Sequence, residues 1–98
     1  MLIVINEFHI EPSKIKQATE AAKAAQAQIA KLGHKPARIL TDVTGEFYTL
    51  MFVAEFESLS AMEKTMEGVM SNPEFQKAYQ PLRDAMRSGS RRIMRVVG

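Results

Sequence analysis

The chain has no cysteine and no tryptophan. Without thiols there is no disulfide, no thiolate-held metal and no cysteine nucleophile, a composition that fits a reducing compartment, so cytoplasm is the expected location. Histidine is scarce as well. His9 and His34 stand 25 residues apart, which matches no metal-ligand spacing, and no metal is expected. The five glycines are scattered singly, which leaves no phosphate-cradling loop or nucleotide-binding glycine run, and no Gly-x-Ser-x-Gly turn exposes a serine nucleophile. No apolar run approaches the ~20 residues of a membrane span, and residues 1–5 lack the basic region and cleavage site of a signal peptide. Charge is nearly balanced at a formal +2, although Arg83, Arg87, Arg91, Arg92 and Arg95 crowd one late segment. That crowding reads as a solvated helix end followed by an edge strand whose arginines discourage pairing with other chains, with an anion or nucleic-acid patch as the alternative.

What is present is periodicity. A chain of 98 residues is expected to form one domain, 1–98, burying roughly 60–68% of the surface its unfolded form exposes. Residues 47–56 are rich in aromatic and aliphatic types and contain no Gly or Pro, so they read as a central strand. Alternation puts Tyr48, Leu50, Phe52, Ala54 and Phe56 on one face and Phe47, Thr49, Met51, Val53 and Glu55 on the other. Residues 2–10 alternate in the same way, with Val4, Asn6, Phe8 and Ile10 opposite Ile3, Ile5, Glu7 and His9. After Pro12, with Ser13 as the expected cap, Ile15, Ala18, Ala22, Ala25, Ile29 and Leu32 recur at helical steps over 14–32. Gly33 ends that helix. A short strand over 37–42 and a turn through Gly45 lead into the central strand. Ser58 or Ser60 opens a second helix running to about Met70, and Asn72-Pro73 caps a third, which Pro81 is expected to break or kink. Residues 88–90 read as a loop and 91–97 as the last strand.

The order β-α-β-β-α-β, with the second helix split, predicts an α+β, ferredoxin-like fold with an antiparallel sheet in the order 4-1-3-2 and the helices on one face. Two passages carry a family resemblance. The first is the strand-to-helix entry Asn6-Glu7-Phe8-His9-Ile10-Glu11-Pro12-Ser13-Lys14. The second is Phe56-Glu57-Ser58-Leu59-Ser60-Ala61-Met62, followed by Ser71-Asn72-Pro73-Glu74-Phe75 and by Ser90-Arg91-Arg92-Ile93-Met94-Arg95-Val96. With these frames the chain resembles the dimeric α+β barrel superfamily, and within it the NIPSNAP-like proteins, with Ser13 and Asn72 where the family pattern has Gly and Asp. The resemblance covers nearly the whole chain and implies a homodimer, but its motifs are structural punctuation rather than chemistry.

The same superfamily contains antibiotic-biosynthesis and haem-degrading monooxygenases. The haem-degrading branch uses an Asn on strand one with a Trp and a His from the helical region. Asn6 is similar to that Asn, Tyr79 occupies the neighbourhood of the His, and a tyrosinate at 79 is the route by which such a site would reach haem iron. No resident cofactor is expected, and no catalytic residue is identified.

From the residues themselves, Asn6 is the oddity, because a buried amide without partners costs about 1–3 kcal/mol. It is either bonded to a helix or loop group or to Tyr79, or it serves a pocket between sheet and helices lined by Asn6, Phe8, Phe52, Met62, Met66 and Tyr79. A small apolar or amphipathic ligand is the expected occupant, and a small cofactor-independent or haem-associated monooxygenase is the alternative. Aromatics on a third strand also occur in RNA-recognition domains. Here the Lys/Arg-Gly-Phe lead-in is missing and Phe52 and Phe56 face the helices, so no nucleic-acid partner is expected. The other sheet face, with Ile3, Ile5, Glu7, His9, Met51, Val53 and Glu55, is the expected dimer interface, with His9 and Glu7 expected near Glu55 across the sheet as polar trim.

Overall fold

The computed structural model describes residues 1–98. Its strands are β1 (Leu2–Ile10), β2 (Arg38–Thr41), β3 (Thr49–Phe56) and β4 (Met86–Arg95), and its helices are α1 (Ile15–Lys31), α2 (Leu59–Met70) and α3 (Pro73–Ala85). All strand pairs are antiparallel and the sheet order is β2-β3-β1-β4, the arrangement expected from the element order. No helix is long and apolar enough to cross a membrane.

Alternation decides which face receives the helices. Ile10, Leu50 and Phe52 form one buried cluster with Ala18, Ala21 and Ala22 of α1 and Leu82 and Ala85 of α3. The alanines matter because a helix face without long side chains lies close on its neighbour, and α1 packs chiefly against α3. A smaller cluster joins Ala25, Val69 and Phe75. By contrast α2 touches β3 and α3 only lightly, so it stands off from the sheet.

Helix ends follow local chemistry with one exception. Gly33 takes the left-handed conformation at φ 87 that closes α1, and Gln26, buried in α1, accepts a 2.7 Å hydrogen bond from the Ala37 amide that pins the outgoing chain. Ser58 accepts from the Ala61 amide at 3.1 Å and Asn72 from the Phe75 amide at 2.9 Å. Ser13 does not cap; residues Pro12–Lys14 form a 3₁₀ turn without a side-chain cap. Asn72→Ala is expected to cost about 1 kcal/mol, as loss of an N-cap acceptor does. A lowered urea midpoint with an unchanged m-value checks it.

Three expectations need correction. Pro81 does not break α3, which continues to Ala85. Proline removes only its own bond to the Lys77 carbonyl, both residues face solvent, and Leu82 and Ala85, 0% and 1% exposed, anchor the helix beyond it. The expected loop 88–90 is strand: β4 starts at Met86 and ends at Arg95 rather than Val97, because pairing with β1 gives even Gly89 ladder partners. A Cβ at Gly89 would lie 3.0 Å from Phe8 Cδ1, so glycine there admits the Phe8 ring. Finally, β3 begins at Thr49, not at 47. Tyr48 sits at φ 60 and is exposed, outside the face assigned to it, while Asp42 Oδ1 and the Glu46 carbonyl bind Thr49 and shape the preceding loop.

Candidate functional site

Because α2 stands off, a cavity of about 300 Å³ remains between it and the sheet, with 13 hydrophobic residues among the 18 that line it. Strand parity supplies its floor. Val4, Asn6 and Phe8 of β1 and Phe52, Ala54 and Phe56 of β3 project from the helix-bearing face, while Met62, Met66 and Met70 descend from α2 at helical spacing. Phe75 and Tyr79 come from α3 and Arg91 from β4. Asn6, Phe8, Phe52, Met62, Met66 and Tyr79, named from the sequence as pocket candidates, all line this cavity. Phe8 meets Phe52 edge to face, ring centroids 5.4 Å apart, which stiffens the floor.

The polar end of the cavity is built by register. Asn6 lies opposite Phe52 on one side and Arg91 on the other, and directly opposed residues share a face. Arg91 Nε donates to Asn6 Oδ1 at 2.6 Å. The partner of the odd amide is therefore Arg91, not Tyr79 or a helix or loop group. Starting β4 at 91 hid this, since only the full antiparallel register with β1 aims Arg91 inward. No local signal marks it, because the register that sets Arg91 opposite Asn6 spans 85 residues.

Tyr79 is half-buried, stacked on Phe75 with centroids 5.5 Å apart, and the Arg83 guanidinium lies 5.2 Å from its ring centroid. Burial raises its pKa above the usual 10.0, against the opposing fields of Arg83 and Arg91. The phenol is thus neutral at pH 7 and offers a hydroxyl. In a Tyr48→Phe background the phenolate absorbance of Tyr79 is expected to appear above pH 10.0. The folded state then loses stability as pH climbs from about 10 through the folded value and is unaffected below it. A midpoint at or below 10.0 would mean that the arginine fields outweigh burial.

The residues fit haem poorly. Neither histidine lines the cavity, and the phenol that could take an axial position is held protonated by burial. No step through haem iron is built on this donor set.

The opposite sheet face carries Ile3, Ile5, Met51 and Val53, to which register adds Leu40 and Met94. Sequence reading missed those two because it set no register for the edge strands. His9 Nε2 lies 3.0 Å from Glu7 Oε2, its Nδ1 faces Glu46, and Arg92 reaches Glu7 at 3.8 Å. Glu55 is not near them. It pairs with Ile3 at the far end of β1 and its carboxylate lies 3.9 Å from Lys35.

Comparison with known proteins adds the following. The NIPSNAP family model matches residues 3–98. No curated protein matches the chain. A NIPSNAP family protein of unknown function from Agrobacterium tumefaciens superposes with a TM-score of 0.86 at 15% identity, covering 99% of this chain and 94% of that one. An uncharacterized NIPSNAP domain protein from Burkholderia xenovorans gives 0.82 at 14% identity, covering 99% and 95%. An antibiotic biosynthesis monooxygenase gives 0.79 at 15% identity over 100% of both chains. At such identities the likeness is one of fold.

Proposed function

The chain belongs to the NIPSNAP family, and from that footing we propose that it binds a small apolar or amphipathic molecule between the sheet and α2. The observation carrying this reading is a mainly apolar cavity of about 300 Å³ with a polar corner where Arg91 meets Asn6 at 2.6 Å. Its size lies at the lower end of small-molecule sites, roughly 300–1,000 Å³. The three methionines of α2 give it an unbranched, adaptable wall. Titration with a neutral fluorescent dye small enough for the cavity, such as 2-naphthol, tests the reading. One saturable site per chain is expected, lost in Met66→Trp, whose larger ring fills the space. Undiminished binding by that variant would locate the dye elsewhere and sink the proposal.

A second reading draws on the fold shared with an antibiotic biosynthesis monooxygenase. In it the same chamber is a reaction site, with the Asn6 amide and the neutral Tyr79 phenol positioning a substrate. Absorbance titrations with haem and flavin, with mass spectrometry of any co-purified molecule, separate the two. A saturable spectral change supports the enzyme, and an apolar ligand without spectral response supports the binding protein.

The same proposal includes a homodimer joined through the open sheet face. Six apolar side chains, Ile3, Ile5, Leu40, Met51, Val53 and Met94, share that face. Patches of a few hundred Å² are what self-association covers. A two-fold partner presents the same surface in return, so each association event buries the set twice.

A further inference from the structure

Donors predominate where Arg91 meets Asn6 in the cavity. A guanidinium has no acceptor, so the Asn6 amide that meets Arg91 Nε must present Oδ1, and its NH₂ group is left without a protein acceptor. The neutral Tyr79 hydroxyl lines the same space. No aspartate or glutamate lines the cavity. Its other cation, Lys35, has Glu55 at 3.9 Å, whereas Arg91 has no carboxylate within 4.0 Å. Arg91 is exposed at the cavity mouth, so a charged group bound there stays partly hydrated while the rest of the molecule lies within.

A corner in which donors predominate favours a group that only accepts, and an ionised carboxylate is acceptor-only. With Nε taken by Asn6, the two terminal nitrogens of Arg91 remain as a planar fork, the geometry that matches a carboxylate edge. One uncompensated cation balances one negative charge, which disfavours a doubly charged phosphate. At about 30 Å³ for each water-sized group, 300 Å³ holds about ten non-hydrogen atoms. We propose that the cavity is an organic-anion site for a monocarboxylate of about ten non-hydrogen atoms, its carboxylate held by Arg91 and the Asn6 amide and its apolar body among Met62, Met66 and Phe75. This rests on the small-molecule reading above and narrows it to a chemical class.

Calorimetric titration of the full chain with octanoate and with octanamide tests it, since the two share length and shape but differ in charge. Octanoate is expected to bind about ten- to a hundred-fold more tightly, the range of a charge-assisted hydrogen-bonded contact. Added salt should weaken octanoate binding alone, a measurement that needs no variant. Arg91→Gln should bring the two affinities together, octanoate losing far more than octanamide, and Arg91→Lys should retain part of the preference. Equal binding by the wild-type chain, or an octanoate preference that survives Arg91→Gln, overturns the anion assignment and leaves the small-molecule reading intact. If neither compound binds, both fall.

Discussion

Ile5→Glu is expected to sediment as an 11.0 kDa monomer at low micromolar concentrations, where the proposed homodimer predicts twice that mass for the wild-type chain. Ile5 occupies the middle of β1, with Val53 on one side and Arg92 on the other, on the sheet face that takes no helix. Burying an isoleucine contributes about 1.5–3 kcal/mol, and two-fold symmetry removes that contribution twice. Each new carboxylate would also be desolvated at a cost of several kcal/mol. The total exceeds 4 kcal/mol by this reckoning, which raises Kd by roughly a thousandfold or more. The fold should survive, because Ile5 is in neither buried cluster and a glutamate there stands opposite the exposed Arg92. An Ile5→Glu chain that remains dimeric, or a wild-type chain that is monomeric, would show that this face is not the interface.

Leu82→Ala should be the most damaging of the conservative core changes, lowering stability by about 2–5 kcal/mol. Leu82 is 0% exposed and sits among Ala18, Ala21, Ala22, Leu50 and Phe52. Most of those neighbours are alanines whose only side-chain atom is tied to a helix backbone, so they cannot lean in to fill the void. Against a typical total of about 5–15 kcal/mol, such a loss leaves little margin. Leu59→Ala serves as the control: Leu59 is 51% exposed, and its removal should stay within about 0.5 kcal/mol. Urea midpoints measured in parallel decide it, and comparable losses for the two would mean that the α1–α3 seam does not form the core.

Some features of the candidate site could be read from residue order alone. Asn6, Phe8 and Phe52 share a face because strand side chains alternate, and Met62 and Met66 share one because they are four apart on a helix. Neither inference needs a contact map. Arg91 could not be found that way. Its role depends on pairing across 85 residues, and an arginine on an exposed edge strand has the same local sequence whether it faces a cavity or water. The start of β4 at 86 was hidden for a similar reason. Ser88, Gly89 and Ser90 have turn propensities, yet a ladder partner in β1 overrides propensity. Tyr48 shows the converse, since a residue suited to a strand was taken out of it by the loop that Asp42 and Glu46 hold together.

By itself the sequence determined the order of elements, the sheet order, the residues that share each strand face and the caps at Gly33 and Asn72, because each of these follows from alternation, 3.6-residue spacing or a single residue's backbone preference. Only the tertiary structure decided that α2 stands off to leave a cavity, that Asn6 is bonded to Arg91, and that Glu55 lies away from Glu7 and His9. Those outcomes depend on register and on helix separation. Both are set by the sum of many weak packing contacts distributed over the chain, and no local stretch encodes them.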